Sequence, residues 1–95
     1  MRVERKEVII RGEKFVIREP LFRDFMEAYG KAKEDQHRFN IILLSKCIEE
    51  PKLSEEEILN LPAFAVTKLI MELSKLMVLD EGSRKNLFTA LEAGE

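Results

Sequence analysis

The chain has 95 residues, enough for one domain with a single workable core that buries about 60–70% of the unfolded surface. Apolar residues make up 45% and charged residues 36%, a globular balance that excludes fibrous and disordered classes. Sixteen Lys plus Arg against 18 Asp plus Glu leave a net charge of -2, which gives no general attraction for nucleic acid or anionic lipid.

Taken in chain order, the pattern predicts a mainly α fold with a small N-terminal β-hairpin. Residues 1–79 are expected to form one globular α+β domain, a hairpin over 3–18 followed by a compact bundle of about four helices over 21–79. Val8-Ile9-Ile10 and Phe15-Val16-Ile17 flank Arg11-Gly12-Glu13-Lys14. A type II′ turn at Gly12-Glu13 would join them, placing Ile10 opposite Phe15, Val8 opposite Ile17 and Glu7 opposite Arg18. Val8, Ile10, Phe15 and Ile17 then share one apolar face, which needs a cover because a lone hairpin is marginal in water.

Pro20 ends the strand and suits the start of a helix from about Leu21. In it Phe22, Phe25, Met26, Tyr29 and Ala32 recur at helical spacing, and Gly30 weakens the middle. This helix is expected to cover the hairpin. Asp24 falls in its first turn, where an acid favours the helix N-terminus. After a charged stretch, Asp35 caps a segment from Phe39 to Ile48 that is apolar nearly all round, so it must be central or covered by another molecule.

Pro51 closes that helix, and Ser54 with Glu57 matches a capping box for a short one. Pro62 fits the first position of a longer helix, whose seam is Val66, Leu69, Ile70, Leu73, Leu76 and Met77, with Lys68, Glu72 and Lys75 on the wet side. Asp80-Glu81-Gly82 ends it. Residues 80–95 form a C-terminal segment, helical or loosely ordered, in which Ser83 would cap a stretch containing Leu87, Phe88 and Leu91.

Chemistry is thin by comparison. The glycines at 12, 30, 82 and 94 are too dispersed for a phosphate-binding loop. One cysteine, Cys47, excludes an internal disulfide, one histidine, His37, excludes a conventional zinc site, and both fit a reducing cytoplasm. The first twenty residues lack a signal-type apolar region, and runs such as Ile41 to Leu44 fall far short of the roughly 20 residues needed to span a bilayer. Cys47 and His37 could pair as nucleophile and base only if the fold brought them together; the apolar setting of Cys47 favours an inert thiol. The acids Glu49, Glu50, Glu55, Glu56 and Glu57 read as solvated and capping groups around a helix end, and they lack the alternation of an EF-hand. No cofactor and no catalytic residue are expected. The apolar total nevertheless exceeds what one small interior can hold, which points to association with other protein.

The order of these elements resembles that of the small tail assembly chaperones of long-tailed bacteriophages and prophages. The likeness rests on Arg18, Pro20 and Asp24 as an R-x-P-x-x-x-D helix start, on the stretch from Leu43 through the acidic turn, and on Leu61-Pro62, over roughly residues 3–78. It implies a non-enzymatic protein of the bacterial host cytoplasm that binds the tape-measure protein, keeps it in solution and helps tail-tube subunits assemble around it as a homo-oligomer. It also implies that a frameshifted longer form would diverge near the segment after Leu79. Phe22, Phe25, Met26 and Tyr29, with Ile41 and Leu44 contributing, are then the expected partner-binding residues. The alternative is a small helical homo-oligomeric adaptor or regulator unrelated to phage tails.

Overall fold

A computed structural model describes residues 1–77 of the protein, in which three short strands and four helices form an α+β fold. The expected capped stretch around Leu87, Phe88 and Leu91 lies outside the described residues.

Strands β1 (Arg5–Ile10) and β2 (Glu13–Arg18) form the expected hairpin, but the turn sits one residue earlier than the sequence suggests. Arg11 and Gly12 are its central residues, with φ of 50° and 84°, the double positive φ of a type I′ turn. Such a turn matches the right-handed twist of the strands, and Gly12 takes its conformation without a Cβ penalty. The register consequently moves by two positions: Val8 faces Phe15, Lys6 faces Ile17 and Arg5 faces Arg18. A shift of two preserves the faces, because side chains alternate with period two. Val8, Ile10, Phe15 and Ile17 are accordingly all buried together. The predicted Glu7–Arg18 cross-strand pair is lost, since Glu7 now faces Val16.

The cover over this face is a different helix from the one expected. Helix α1 (Phe22–Ala32) packs on α2 (Gln36–Cys47), whereas α4 (Ala63–Leu76) lies against β1 and β2. An inward-facing Lys6 on β1 meets Glu72 on α4, which also accepts from Lys75 Nζ at 3.5 Å. Glu72 is therefore buried rather than on the wet side of its helix. Its two ammonium partners supply the pairing that a buried carboxylate requires. The rest of the α4 seam follows the expected spacing, with Leu69 and Leu73 buried and Val66, Ile70, Leu76 and Met77 packed at the edge. Pro62 stands one position ahead of the first helical residue, its carbonyl accepting from the Ala65 amide at 2.9 Å.

Helix α2 is the centre of the molecule. Ile42, Leu43, Leu44 and Cys47 are buried, and the helix touches α1, α4 and the short α3 (Glu55–Leu59). Of the two situations that a nearly all-apolar helix allows, α2 adopts the central one. Burying a side chain such as Ile42 or Leu44 contributes about 1.5–3 kcal/mol. Asp35 caps it by accepting from the Arg38 amide at 3.1 Å, and α3 has its capping box, with Ser54 N–H to Glu57 at 2.9 Å and Glu57 N–H to Ser54 at 3.1 Å.

The third strand is new. Helix α2 stops at Cys47, and β3 (Ile48–Glu50) pairs antiparallel with β2, giving the order β1-β2-β3. Ile48, read from the sequence as the last helical residue, lies opposite Ile17 and is fully buried. Three residues are too few to show an alternating pattern, so apolarity alone assigned Ile48 to the helix before it.

A candidate interaction surface on the first helix

The way α1 meets α2 decides what remains on the outside. Its buried positions are Asp24, Ala28 and Ala32, one turn apart on a single face. Alanines there let the two helices approach closely. Large side chains are consequently turned outward: Phe22 is 78% exposed, Met26 52% and Tyr29 62%. Leu21, just before the helix, is exposed as well. Phe25 sits at the boundary, half-buried, its ring edge-on to Phe39 of α2 at 5.2 Å between centroids and 76° between planes. That geometry suits the quadrupoles of two aromatic rings.

Below Tyr29 the exposed stripe runs into a groove of about 440 Å³ between α1, α2 and α4. Phe25, Tyr29, Phe39, Leu43, Ile70 and Met77 give it an apolar lining, and Lys33, Glu34 and Asp35, from the turn joining α1 to α2, are charged groups along it. Lys33 itself ends α1 with φ 58° and ψ −113°, an unusual backbone for a residue with a Cβ. Of the predicted partner-binding residues, Phe22, Phe25, Met26 and Tyr29 thus belong to one continuous surface. Ile41 is half-buried against the core. Leu44 is fully buried beneath the helices around α2 and takes no part in any outer surface, because the central position of α2 leaves that side no access to solvent. Ile70 and Met77, which read as seam positions in the sequence, extend the surface; nothing in their spacing distinguishes a groove wall from a core residue.

Gly30 lies near the C-terminal end of the outward face of α1, eight residues after Phe22 and four after Met26. A Cβ placed on Gly30 would meet nothing within 4 Å, and its φ is not in the left-handed region. Among the described residues no contact therefore requires a glycine there, although it costs the helix about 0.5–1 kcal/mol relative to alanine.

The inner end of α1 is fixed by charge. Asp24 accepts from the Leu21 amide at 2.9 Å, the reciprocal half of a helix-start box, and from Arg18 Nη1 at 2.9 Å. The same guanidinium donates to the Lys46 carbonyl at 2.9 Å, satisfying one of the orphan acceptors at the end of α2. Burial alone would raise the Asp24 carboxyl, but the Leu21 amide and the Arg18 hydrogen bond and charge outweigh it, and the net shift is downward. Asp24 is thus more than a first-turn acid: together with Arg18 it joins β2, α1 and the end of α2. A second link runs from Lys46 Nζ to Glu27 at 2.6 Å, whose hydrogen bond holds the Glu27 carboxyl below its ordinary value.

The remaining chemical candidates are accounted for by structure. Cys47 is fully buried, and burial pushes its thiol up to about 12, so almost no thiolate forms near neutral pH. His37 is exposed in the first turn of α2, ten residues and therefore about 15 Å of helix away from Cys47, so the two form no nucleophile–base pair. Glu49 is held by Arg5 at 2.8 Å and its carboxyl is lowered chiefly by that hydrogen bond. Among the described residues no three His, Cys, Asp or Glu side chains gather into a metal-binding group, and no helix is long and apolar enough to cross a membrane. The chain matches no protein-family model, no curated protein and no solved structure.

Proposed function

We propose that the protein is a non-enzymatic tail assembly chaperone of a long-tailed bacteriophage or prophage, working in the bacterial host cytoplasm. It holds apolar helical segments of the tape-measure protein in solution while tail-tube subunits assemble around them. One observation carries the reading: Phe22, Met26 and Tyr29 stand exposed in a row on α1 and lead into the apolar groove lined by Phe25, Phe39 and Ile70. A helical client lays its apolar face into a groove of this kind through anchors one turn apart, and Phe, Met and Tyr are suitable because they are large and adapt to differing partners. The order of elements shared with that family of chaperones supports the same reading.

The test is co-expression with a tape-measure fragment. The chain should keep the fragment in the soluble fraction, and Phe22→Ser with Met26→Ser should abolish this while leaving the circular dichroism spectrum unchanged. A folded double variant that solubilises the fragment as well as the parent overturns the proposal. The exposed stripe also suits a second reading, a homo-oligomeric adaptor with no client; in that case neither parent nor variant would alter the solubility of the fragment.

A further inference from the structure

Helix α4 presents Ile70, Leu73, Ser74 and Met77 to the groove, one stripe at three- and four-residue steps, and Met77 is the C-cap of that helix. The chain therefore leaves α4 at the wall of the groove itself. The sequence that follows carries a reversal signal, Asp80-Glu81-Gly82, and then Leu87, Phe88 and Leu91, three large apolar residues at the spacing of one helix face. Two antiparallel helices are commonly joined by a turn of this length. A reversal centred on Glu81 would bring residues equally far from it level with each other, Phe88 with Ser74 and Leu91 with Met71, the neighbour of Ile70. Ser74 and Ile70 both line the groove. Charge points the same way: Arg84 and Lys85 precede the apolar three, and the exposed rim from Lys33 to Asp35 carries two acids to one base.

From this we infer that the groove is occupied by the chain's own C-terminal segment, with Leu87, Phe88 and Leu91 laid between Tyr29, Phe39 and Ile70 until a client displaces it. A tethered segment has an effective concentration in the millimolar range, so a free helix takes the groove only by binding it more tightly or by adding further contacts. Phe22 and Met26 lie outside the groove and supply such contacts to a client but not to the tail. The displacement step rests on reading the stripe and groove as the client surface; the docking of the tail does not.

Tyr29 lines the groove and is the chain's one tyrosine, and the chain has no tryptophan, so intrinsic fluorescence reports on this contact. The experiment compares acrylamide quenching of the full-length parent with that of full-length Leu87→Ser with Phe88→Ser. Tyr29 should be quenched more strongly in the double variant, and Leu91→Ser, the milder second variant, should shift it in the same direction. A synthetic peptide of residues 83–95 should restore protection in the double variant and bind the parent about tenfold or more weakly, because the resident segment competes. Equal quenching of parent and both variants overturns the inference, as does equal binding of the peptide by parent and double variant. Protection that grows with chain concentration also overturns it, since the occupant is then a second copy. The tape-measure fragment separates this inference from the client reading: the double variant should keep more of it in solution than the parent. Fragment held equally by both, with Tyr29 equally quenched, removes the tail and leaves the client reading standing. Tyr29 shielded by the tail while neither chain holds the fragment does the reverse.

Discussion

In α2 the large apolar side chains Ile42, Leu43 and Leu44 are buried among the other helices, whereas in α1 the buried side chains are the small Ala28 and Ala32 and the large ones, Phe22, Met26 and Tyr29, face solvent. Two neighbouring helices of similar length have thus distributed bulk in opposite ways. The contrast teaches that apolarity marks a contact without saying whether the contact lies inside the chain. Size at the helix–helix seam is the better guide: α1 reaches α2 through alanines with Phe25 edge-on at the boundary, and Phe22, Met26 and Tyr29 are displaced to the outer side.

The sharpest way to break the comparison is to cut into α2. Leu44→Ala removes a fully buried side chain at the centre of the fold and should cost about 2–5 kcal/mol, measured by urea unfolding. A loss below about 1 kcal/mol would mean that α2 is not the centre described here.

Next in size is the charge pair that fixes α1 in place. Asp24→Ala removes the carboxylate that pairs with the Arg18 guanidinium and frees the Leu21 amide, for an expected loss of about 1.5–3 kcal/mol. The pH dependence follows from the direction of the shift. The Asp24 carboxyl is lower folded than unfolded, so its contribution is complete above the unfolded value, near 4, and is lost as pH falls through the folded one. Glu72, lowered chiefly by the Lys6 hydrogen bond, contributes with the same sign over the same acid range. Stability plotted against pH should therefore decline below about pH 4, and Asp24→Asn should make the decline shallower. An unchanged slope would sink the assignment.

Ala28→Leu probes the seam itself. Extra bulk between α1 and α2 should cost about 1–3 kcal/mol by overpacking, although leucine is nearly as good a helix former as alanine. Stabilisation instead would show that α1 stands off from α2.

The features legible in the sequence were those written in local chemistry. The caps at Asp35 and Ser54 each depend on a residue and its third neighbour, and the apolar face of Val8, Ile10, Phe15 and Ile17 survives a two-residue change of register because alternation is blind to it. What the sequence did not disclose depends on distant partners. Glu72 looked wet until Lys6, 66 residues away, was brought to it, and Ile48 looked helical until β2 supplied the pairing for a three-residue strand. For the surface, the stripe on α1 could be listed but not oriented, because a periodicity of 3.6 fixes which residues share a face and leaves open which face is covered. On α2 the ambiguity is greater, because a helix that is apolar nearly all round is either central or covered by another molecule, and the sequence alone does not separate Leu44 in the core from Leu44 at a surface.

The smallest expected effect is also the most discriminating. Phe22→Ser removes an exposed ring on α1, and a surface substitution away from caps and buried networks changes stability by no more than about 0.5 kcal/mol. Placed beside Leu44→Ala, it separates the two uses of an apolar side chain: one loss should appear in the unfolding curve and the other only in association, read as solubilised client or as dimer. The same ring buried within a single copy would instead cost about 3–5 kcal/mol when deleted, as for a core aromatic. A loss of that size for Phe22→Ser, with association unchanged, would place the ring inside the fold and reverse the contrast between α1 and α2.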